Sequence, residues 1–293
     1  MARENEPVAF LGVGTMGHAM ATRALGAGIP TIVWNRNADA TGDLVDLGAR
    51  AAESPADAAG RAAIVVTMVT DADAVLEIAK GMLAALAPSA IWVQMSTIGD
   101  RGTQRVESLV RAERSDVILV DAPVSGSKGP AEQGQLTIFA SGPEAIRSRL
   151  DPLFDALGRR TIWVGPVGTG SKLKLVANTW LALAAEALNV SVAFAHQLGL
   201  QTESVANALG DGPLVSAWQT AKLERIARGD FSAQFALSLA LKDVRLALGD
   251  AGHERFEVLA TLAEEWEDVV ALGFGDNDLT IVAQVLEQQA GRE

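Results

Sequence analysis

Short apolar runs alternate with amphipathic stretches over the first 165 residues of the chain. The runs are rich in valine and isoleucine, which is typical of strands that helices cover on both faces. In order they read PVAFLGVG, TIVWN, AIVVTMV, AIWVQMST, VILVDAPVS, LTIFASG and TIWVG. Helical stretches lie among them, for example at 16–27, 72–86, 101–113 and 144–157. This alternation predicts a mostly parallel, doubly wound sheet of the α/β class.

The pattern changes after Gly165, where the sequence GPVGTG is typical of a turn. Residues 170–198 contain no strand-like run and no internal proline or glycine, and as one helix they would be about 44 Å long. Further helical segments follow at 202–209, 214–228, 236–250, 254–272 and 278–290. The sequence therefore predicts an α/β domain over 1–166 and an all-α domain over 167–293, joined by the long helix.

Composition excludes several classes of function. Acidic residues outnumber basic residues by 36 to 24, and the formal charge of −12 argues against a nucleic-acid-binding protein. The chain has no cysteine, so disulfides, thiolate catalysis and cysteine-ligated metals are excluded. The three histidines, His18, His196 and His253, do not have metal-ligand spacing, and we expect no metal site.

The most apolar stretch, residues 175–195, is interrupted by Asn178 and Glu186. A membrane-spanning helix needs about 20 mostly apolar residues, so we interpret this stretch as a buried helix. The N-terminal sequence MARENEPVAFLGVG has no basic segment followed by an apolar run, as a signal peptide would. We therefore expect a cytoplasmic protein with no membrane partner.

A glycine-rich turn follows the first predicted strand. GVGTMG fits the pattern GxGxxG, which alone is weak, but here it follows a buried strand and opens a helix. The first glycine allows a tight turn, the second lets the backbone approach a pyrophosphate, and the third lets helix and strand pack closely. An ordinary glycine-rich turn is the alternative. The predicted dinucleotide-binding segment comprises Gly12, Val13, Gly14, Thr15, Met16 and Gly17.

The end of the second predicted strand bears on the choice between NAD and NADP. An NAD site usually has an acidic residue there to bind the ribose hydroxyls, whereas this chain has Asn35 and Arg36. Asparagine removes the charge that would repel a 2′-phosphate, and arginine offers it a planar, bidentate partner. We therefore expect NADPH to be preferred. In the alternative, Arg36 is a solvated loop residue and either cofactor is used.

Two lysines stand at the start of the long predicted helix. At about 100° per residue, Lys174 and Asn178 share a face, whereas Lys172 points about 200° away from Lys174. Lys174 has a polar neighbour one turn on among apolar residues, which suits a functional group, and Lys172 is better placed as a surface residue. The alternative for Lys174 is the usual one for lysine, a side chain whose ammonium group is in solvent.

Seven sequence blocks in order carry a family resemblance. They read FLGVGTMG, WNR, MVTDADAV, QMSTIGD, DAPVSGSKGPAEQGQL, GTGSKLKLVAN and FALSLALKDVRLAL. The chain resembles the β-hydroxyacid dehydrogenases, which include 3-hydroxyisobutyrate dehydrogenase and glyoxylate/succinic semialdehyde reductase and are related to 6-phosphogluconate dehydrogenase. The resemblance covers nearly the whole chain.

This resemblance implies roles for residues around the cofactor. Met68, Val69 and Thr97 match loop residues that line it after two of the strands. Phe235 matches an aromatic residue near the nicotinamide. Lys242 matches a lysine of the α-helical domain near cofactor and substrate.

The resemblance also implies a substrate site. Ser125 and Gly126 match a turn that holds the substrate carboxylate, and Ser127 continues that turn. Lys174 matches the catalytic lysine, and Asn178 matches an asparagine that helps hold the substrate. Carbonyl reduction needs a proton donor beside the hydride, which is the role expected of the lysine as general acid and base.

Three positions depart from the family pattern. Ser127 replaces a glycine, Pro130 replaces the usual alanine, and Ala177 replaces a frequent asparagine. The resemblance therefore implies a reaction class and leaves the substrate open.

The expected protein is a homodimeric or homotetrameric oxidoreductase that interconverts a short β-hydroxyacid and its semialdehyde. An imine reductase and a catalytically silent NADP-binding module are the alternatives, and both generally lack the lysine found at Lys174.

Overall fold

The computed structural model describes residues 6–210, 212, 214–251 and 255–290. The chain divides into two compact units, Met1–Lys174 and Leu175–Glu293. The division falls about one helical turn after the GPVGTG turn, because the first turn of the long helix belongs to the first unit. His253 and the start of the helix predicted at 254–272 lie outside the described residues.

The first unit contains a six-stranded sheet in the order β3-β2-β1-β4-β5-β6, and every neighbouring pair is parallel. The predicted doubly wound α/β fold is confirmed. Leu11 aligns with Trp34 and Thr67, and the row continues through Gln94 to Asp121, so the carboxyl ends of five strands form one edge. The strands are β1 (Val8–Leu11), β2 (Thr31–Trp34), β3 (Arg50–Ala51), β4 (Ile64–Thr67), β5 (Ile91–Gln94) and β6 (Ile118–Asp121).

Successive residues of β1 enter opposite cores. Val8 and Phe10 belong to one buried cluster, whereas Ala9 and Leu11 belong to the other. Burial on both faces explains why the run is apolar throughout. Helices of the unit cover the two faces of the sheet; they are α1 (Thr15–Gly26), α2 (Gly42–Asp46), α3 (Pro55–Gly60), α4 (Ala72–Met82), α5 (Gly99–Glu113), α6 (Lys128–Glu132) and α7 (Arg147–Leu157).

Three further strands form a second, small sheet. They are β7 (Val124–Ser125), β8 (Leu136–Ala140) and β9 (Gly158–Trp163), with β7 antiparallel and β9 parallel to β8. The run VILVDAPVS therefore supplies two strands. Pro123 lies at the break, because proline has no N–H to donate to a ladder.

The named secondary-structure elements in the described residues of the second unit are all helices, as predicted, and Ala236 and Asp278 form one isolated bridge. The segment predicted at 170–198 is a single helix of 29 residues that begins in the first unit. Ser216 caps the helix predicted from 214 with a capping box, so that helix begins at Ala217. The helices are α8 (Thr169–Gln197), α9 (Thr202–Leu209), α10 (Ala217–Ala227), α11 (Leu237–Ala251), α12 (Glu257–Val269) and α13 (Ile281–Ala290).

Only one face of α8 is buried, so the expectation of a buried helix is correct for that face alone. In the described part of the chain, α8 is the one helix long and apolar enough to cross a membrane by length and composition, and 39% of its most apolar window is buried. Four large apolar side chains on α8 are exposed, namely Val176, Trp180, Val190 and Phe194.

A polar cluster lies in the helical core between α8 and α12. The carboxylate of Glu186 accepts hydrogen bonds from Trp266 Nε1 (2.8 Å) and Asn189 Nδ2 (3.3 Å). Burial raises the pKa of Glu186. Burial, and then the negative charge of Glu186, raise the pKa of Glu265 to about 7. The folded unit therefore favours the protonated form of Glu265.

This cluster predicts a pH-dependent contribution to stability. The folded-state pKa of Glu265 lies above its ordinary value of 4.5, so its contribution is complete below about pH 4.5 and is lost as the pH rises to about 7. We expect Glu265→Gln, which cannot ionise, to flatten the fall in unfolding free energy over this range. Urea unfolding at several pH values measures the slope of unfolding free energy against pH. Glu264→Gln, at an exposed neighbour, should keep the wild-type slope, and an equal slope in Glu265→Gln would contradict the prediction.

Candidate active site

The glycine-rich turn joins β1 to α1 through very close backbone contacts. Gly12 has a φ of +96°, and a Cβ there would lie 2.4 Å from the carbonyl oxygen of Met68 and 2.6 Å from Val69 Cγ1. A Cβ on Gly17 would lie 2.0 Å from the carbonyl oxygen of Gly12. The packing of α1 against β1 and the β4 loop therefore requires two of the three motif glycines, whether or not a ligand is bound.

Gly14 differs from these two glycines. Its φ of −66° suits any residue, and a Cβ there would meet nothing within 4 Å. Gly14 is also the N-cap of α1 and makes no side-chain cap. The turn therefore leaves open space in front of the positive end of a helix, which fits a pyrophosphate.

The other predicted members of this segment divide between core and surface. Thr15 is exposed and Met16 is half-buried, at the start of α1. Val13 is buried, and its N–H donates to Asn35 Oδ1 (3.2 Å). Val13 therefore contributes packing and a bond that supports the turn.

The Asn35–Arg36 pair divides into a structural residue and an exposed cation. Asn35 Nδ2 donates to the carbonyl oxygen of Asn37 (3.0 Å), so both ends of its amide hold backbone. Arg36 pairs with Glu77 at 3.0 Å, and both side chains are more than 70% exposed. Of the two residues, only Arg36 presents its side chain to a ligand.

Loops after β4 and β5 meet beside the glycine turn. The N–H of Val69 donates to Ser96 Oγ (2.9 Å), and the N–H of Ser96 donates to Gln94 Oε1 (2.7 Å). Met68 and Thr97 flank these bonds and are half-buried. Ser96 is a support residue that the sequence did not reveal, because the N–H that it accepts from lies 27 residues away in the loop after β4, and Gln94 in turn holds Ser96.

The predicted substrate turn lies at the start of the small sheet. Ser125 is in β7 opposite Thr137, and Gly126 has a φ of +134°, which a larger residue would adopt only with strain. Ser127 has an ordinary φ of −95°, so serine replaces the family glycine without strain. Pro130 lies in the first turn of α6, where a missing N–H costs nothing.

The two lysines of α8 have different environments. Lys174 is 8% exposed and Asn178, one turn further on, is 5% exposed. Lys172 is 60% exposed at its side chain, and its ammonium group lies 3.6 Å from Asp100. Lys174 is therefore a buried lysine on the face of the helix that carries Asn178.

Asp243 is a member of the site that the sequence analysis missed. It is 5% exposed, it accepts a hydrogen bond from Asn178 Nδ2, and it lies 2.8 Å from Lys242 Nζ. Its carboxylate fixes the amide of Asn178 and neutralises Lys242. The signal was present in the KD pair of the last sequence block, but the partner is 65 residues away.

A buried ion pair positions Phe235. Asp278 accepts hydrogen bonds from the backbone N–H groups of Gln234 (2.9 Å) and Phe235 (3.1 Å). Lys222, 2% exposed at its side chain, donates to both oxygens of Asp278 at 2.8 Å. The backbone that carries Phe235 is therefore tied to a carboxylate whose charge is itself paired.

The structure distributes the predicted residues over its two units. The first unit holds the glycine turn, Arg36, the Met68 and Thr97 loops, the Ser125 turn and Lys174. The second holds Asn178, Phe235 and Lys242. Among the described residues no cluster of three histidine, aspartate or glutamate side chains could hold a metal.

Both units match known protein families. Residues 7–165 match the NAD-binding domain of 6-phosphogluconate dehydrogenase. Residues 168–286 match the family described as NAD-binding of NADP-dependent 3-hydroxyisobutyrate dehydrogenase. Together these matches cover most of the chain and identify a nicotinamide dinucleotide as the cofactor that the glycine cradle fits.

Whole-chain relatives agree with these matches. Glyoxylate/succinic semialdehyde reductase 1 of Arabidopsis thaliana is 31% identical over 285 residues, which cover 96% of this chain and 98% of the relative. The structure of 3-hydroxyisobutyrate dehydrogenase from Salmonella typhimurium has a TM-score of 0.86 at 26% identity, with 96% and 99% coverage. An imine reductase from Myxococcus stipitatus has a TM-score of 0.65 at 21% identity, with 95% and 99% coverage, which indicates the shared fold alone.

The contrast between Gly14 and Gly17 gives a direct test of the cradle. Gly14→Ala should keep the melting temperature of the wild type and weaken NADPH binding at least about tenfold, because its methyl group meets only the ligand. Gly17→Ala should destabilise the fold by about 1–3 kcal/mol, because its methyl group meets the Gly12 carbonyl. Thermal melting and fluorescence titration with NADPH separate the two effects. Wild-type affinity in Gly14→Ala would refute the assignment.

Proposed function

The chain belongs to the β-hydroxyacid dehydrogenase family, a family of NAD(P)-dependent oxidoreductases, and from this membership we propose that it interconverts a short β-hydroxyacid and its semialdehyde with Lys174 as general acid and base. The observation that carries the proposal is the buried Lys174, one helical turn before Asn178, whose amide is bonded to Asp243. A buried ammonium group beside an oriented amide suits a polarised carbonyl oxygen.

The proposed reaction divides between the cofactor and Lys174. When bound, the reduced nicotinamide supplies the hydride that the carbonyl carbon accepts. The ammonium group of Lys174 stabilises the negative charge that develops on the carbonyl oxygen and then donates a proton to it. Once its proton has passed to the product hydroxyl, Lys174 is a neutral amine, and solvent then reprotonates it. In the oxidation direction the neutral amine removes the same proton.

The substrate carboxylate is assigned to the turn after β7. Ser125 offers a hydroxyl, and the positive φ of Gly126 turns the backbone sharply beside it. Ser127 and Lys128 add polar and cationic character at this turn. Semialdehydes of β-hydroxyacids are our first candidates. Glyoxylate and succinic semialdehyde, whose reduction gives an α- and a γ-hydroxyacid, are tested beside them because a similar protein that matches the whole chain is named for them.

Lys174 also distinguishes this proposal from the two alternatives. Imine reductases and silent NADP-binding modules generally lack a lysine at this position, so its presence and burial favour the hydroxyacid reaction. NADPH oxidation assayed with glyoxylate, succinic, tartronate and methylmalonate semialdehydes and a cyclic imine separates all three functions. Turnover of the imine alone, or of nothing, would reject the proposal.

Replacement of Lys174 tests the catalytic role. We expect Lys174→Ala to lower kcat by about 10²–10⁴-fold, because general acid catalysis is lost, while the Kd for NADPH stays unchanged. Lys172→Ala is the matched control, since its side chain is exposed two residues away, and it should keep wild-type kcat. Steady-state kinetics and NADPH titration measure both. An unchanged kcat in Lys174→Ala would exclude the mechanism.

We propose a preference for NADPH that rests on Arg36. Its guanidinium is exposed and pairs with the exposed Glu77. Such pairs contribute about 0–1 kcal/mol, so a 2′-phosphate could displace Glu77 at little cost. Asn35 supports the preference for NADPH in another way. Its side chain carries no negative charge that would repel a 2′-phosphate, and it is engaged in hydrogen bonds to the backbone.

The Arg36–Glu77 pair yields a prediction for cofactor discrimination. Arg36→Ala should weaken NADPH binding by about tenfold or more and leave NADH binding unchanged, because only NADPH carries the phosphate that the guanidinium binds. Glu77→Gln should strengthen NADPH binding by up to about fivefold, since it removes the competing carboxylate. Glu107→Gln, which breaks a surface pair with the exposed Arg111, is the control. Equal losses for both cofactors in Arg36→Ala would contradict the assignment.

We further propose a homodimer or homotetramer in which a second copy covers the exposed face of α8. At 100° per residue, Val176, Trp180, Val190 and Phe194 fall within one stripe about 80° wide. This stripe is long, apolar and uncharged, as helix-pairing surfaces are. The buried polar residues on α8, Asn178 and Asn189, favour this role over a membrane span.

We accordingly propose a cytoplasmic protein, without a nucleic-acid partner given its charge of −12.

A further inference from the structure

Asp121 is a buried carboxylate at the carboxyl end of β6 to which the proposed mechanism gives no role. Its exposure is 0%. It accepts hydrogen bonds from the backbone N–H of Ser171 (2.8 Å), from Ser171 Oγ (2.7 Å) and from Ser141 Oγ (3.2 Å). Burial raises its pKa to about 6, and the hydrogen bonds from Ser171 and Ser141 oppose that rise and favour the ionised form. A buried anion persists because its lone pairs are satisfied.

Two of these three hydrogen bonds come from Ser171, in the first turn of α8. Ser171 is the third residue of that helix, and its hydroxyl also lies 3.0 Å from Thr103 Oγ1 on α5. The preceding N–H, of Gly170, donates to Ser141 Oγ (3.0 Å). Together these bonds connect the start of α8 to β6, to the end of β8 and to α5. A negative charge at this end also interacts favourably with the helix dipole.

Close backbone packing also restricts the start of this helix. A Cβ on Gly170 would lie 2.2 Å from the carbonyl oxygen of Phe139 in β8. Gly168, just before the helix, has a φ of +91° and is the residue at which the chain turns into α8. Backbone contact and the Asp121 hydrogen bonds therefore fix the same turn from two sides.

Lys174 follows Ser171 by three residues, so it is the neighbour of Ser171 on the next turn of the same face. A shift or rotation of the first turn would move the Lys174 ammonium group by a similar or larger amount. Proton transfer requires its donor within about 0.5 Å of the productive position. The position of Lys174 thus depends on the hydrogen bonds that hold Ser171.

We propose that Asp121 is a positioning residue that places Lys174 by holding the first turn of α8. This inference rests on the proposed catalytic role of Lys174. A carboxylate suits the task because it accepts both hydrogen bonds of Ser171 at once, whereas asparagine would turn an N–H₂ group toward one of these donors.

A double-mutant cycle between Asp121 and Lys174 tests the proposal. We expect Asp121→Asn to lower kcat about tenfold or more in the wild-type background, with the KM for NADPH within about twofold of normal. In the Lys174→Ala background the same change should have no further effect on the residual single-turnover rate, because the group it positions is gone. Ser171→Ala, which keeps the backbone N–H bond, should give a smaller loss of about threefold.

Two controls separate positioning from folding. Thermal melting identifies folded variants, and if Asp121→Asn does not fold, the cycle is run with Ser171→Ala. Thr31→Val removes a buried hydrogen bond to the Ile29 carbonyl oxygen in the same unit, at the start of β2 and away from α8, and should lower stability while keeping kcat.

Three outcomes bear on the inference. An unchanged kcat in Asp121→Asn, or an equal loss in both backgrounds, would overturn it, since equal losses indicate a structural effect that does not act through Lys174. Normal turnover in the single variant Lys174→Ala would instead reject the catalytic role of Lys174, on which the inference depends.

Discussion

The close approach of α1 to the end of β1 is the constraint on which the first unit depends. Gly12 and Gly17 allow this approach, because a Cβ on either residue would clash with a backbone carbonyl oxygen. This contact directs the start of α1 toward the edge where the carboxyl ends of five strands align. The loops that follow those strands gather at that edge, so a phosphate cradle and the Met68 loop become neighbours as a consequence of sheet geometry.

Buried polar groups perform the corresponding task in the second unit. Asp278 holds the Phe235 backbone through a paired charge, and Asp243 fixes the amide of Asn178. Each group would be costly to bury alone, and each has a partner on a helix distant in the chain, Lys222 of α10 for Asp278 and Asn178 of α8 for Asp243. Predicted site residues in this unit are therefore oriented by buried hydrogen bonds, whereas the glycine turn of the first unit is built from backbone.

Much of the fold could be predicted because its signals are periodic or local. The apolar strands of the large sheet, the long helix and the all-α second half follow from hydrophobic period. The separate small sheet did not, since pairing partners such as Val124 and Ile138 carry no mark of which sheet they join. Short elements such as α2 and α6 were also missed, because five residues are too few to display a helical period.

The sequence by itself determined the chemistry that neighbouring residues can perform together. GVGTMG encodes its own turn, and the four-residue spacing of Lys174 and Asn178 encodes a shared helix face, since both depend on local backbone geometry. Only the tertiary structure decided which polar groups support them. Asn35 bonds a residue 22 positions away, Ser171 bonds Asp121 across 50, and Asn178 bonds Asp243 across 65. Such partners are chosen by packing of whole elements, which no short sequence pattern records.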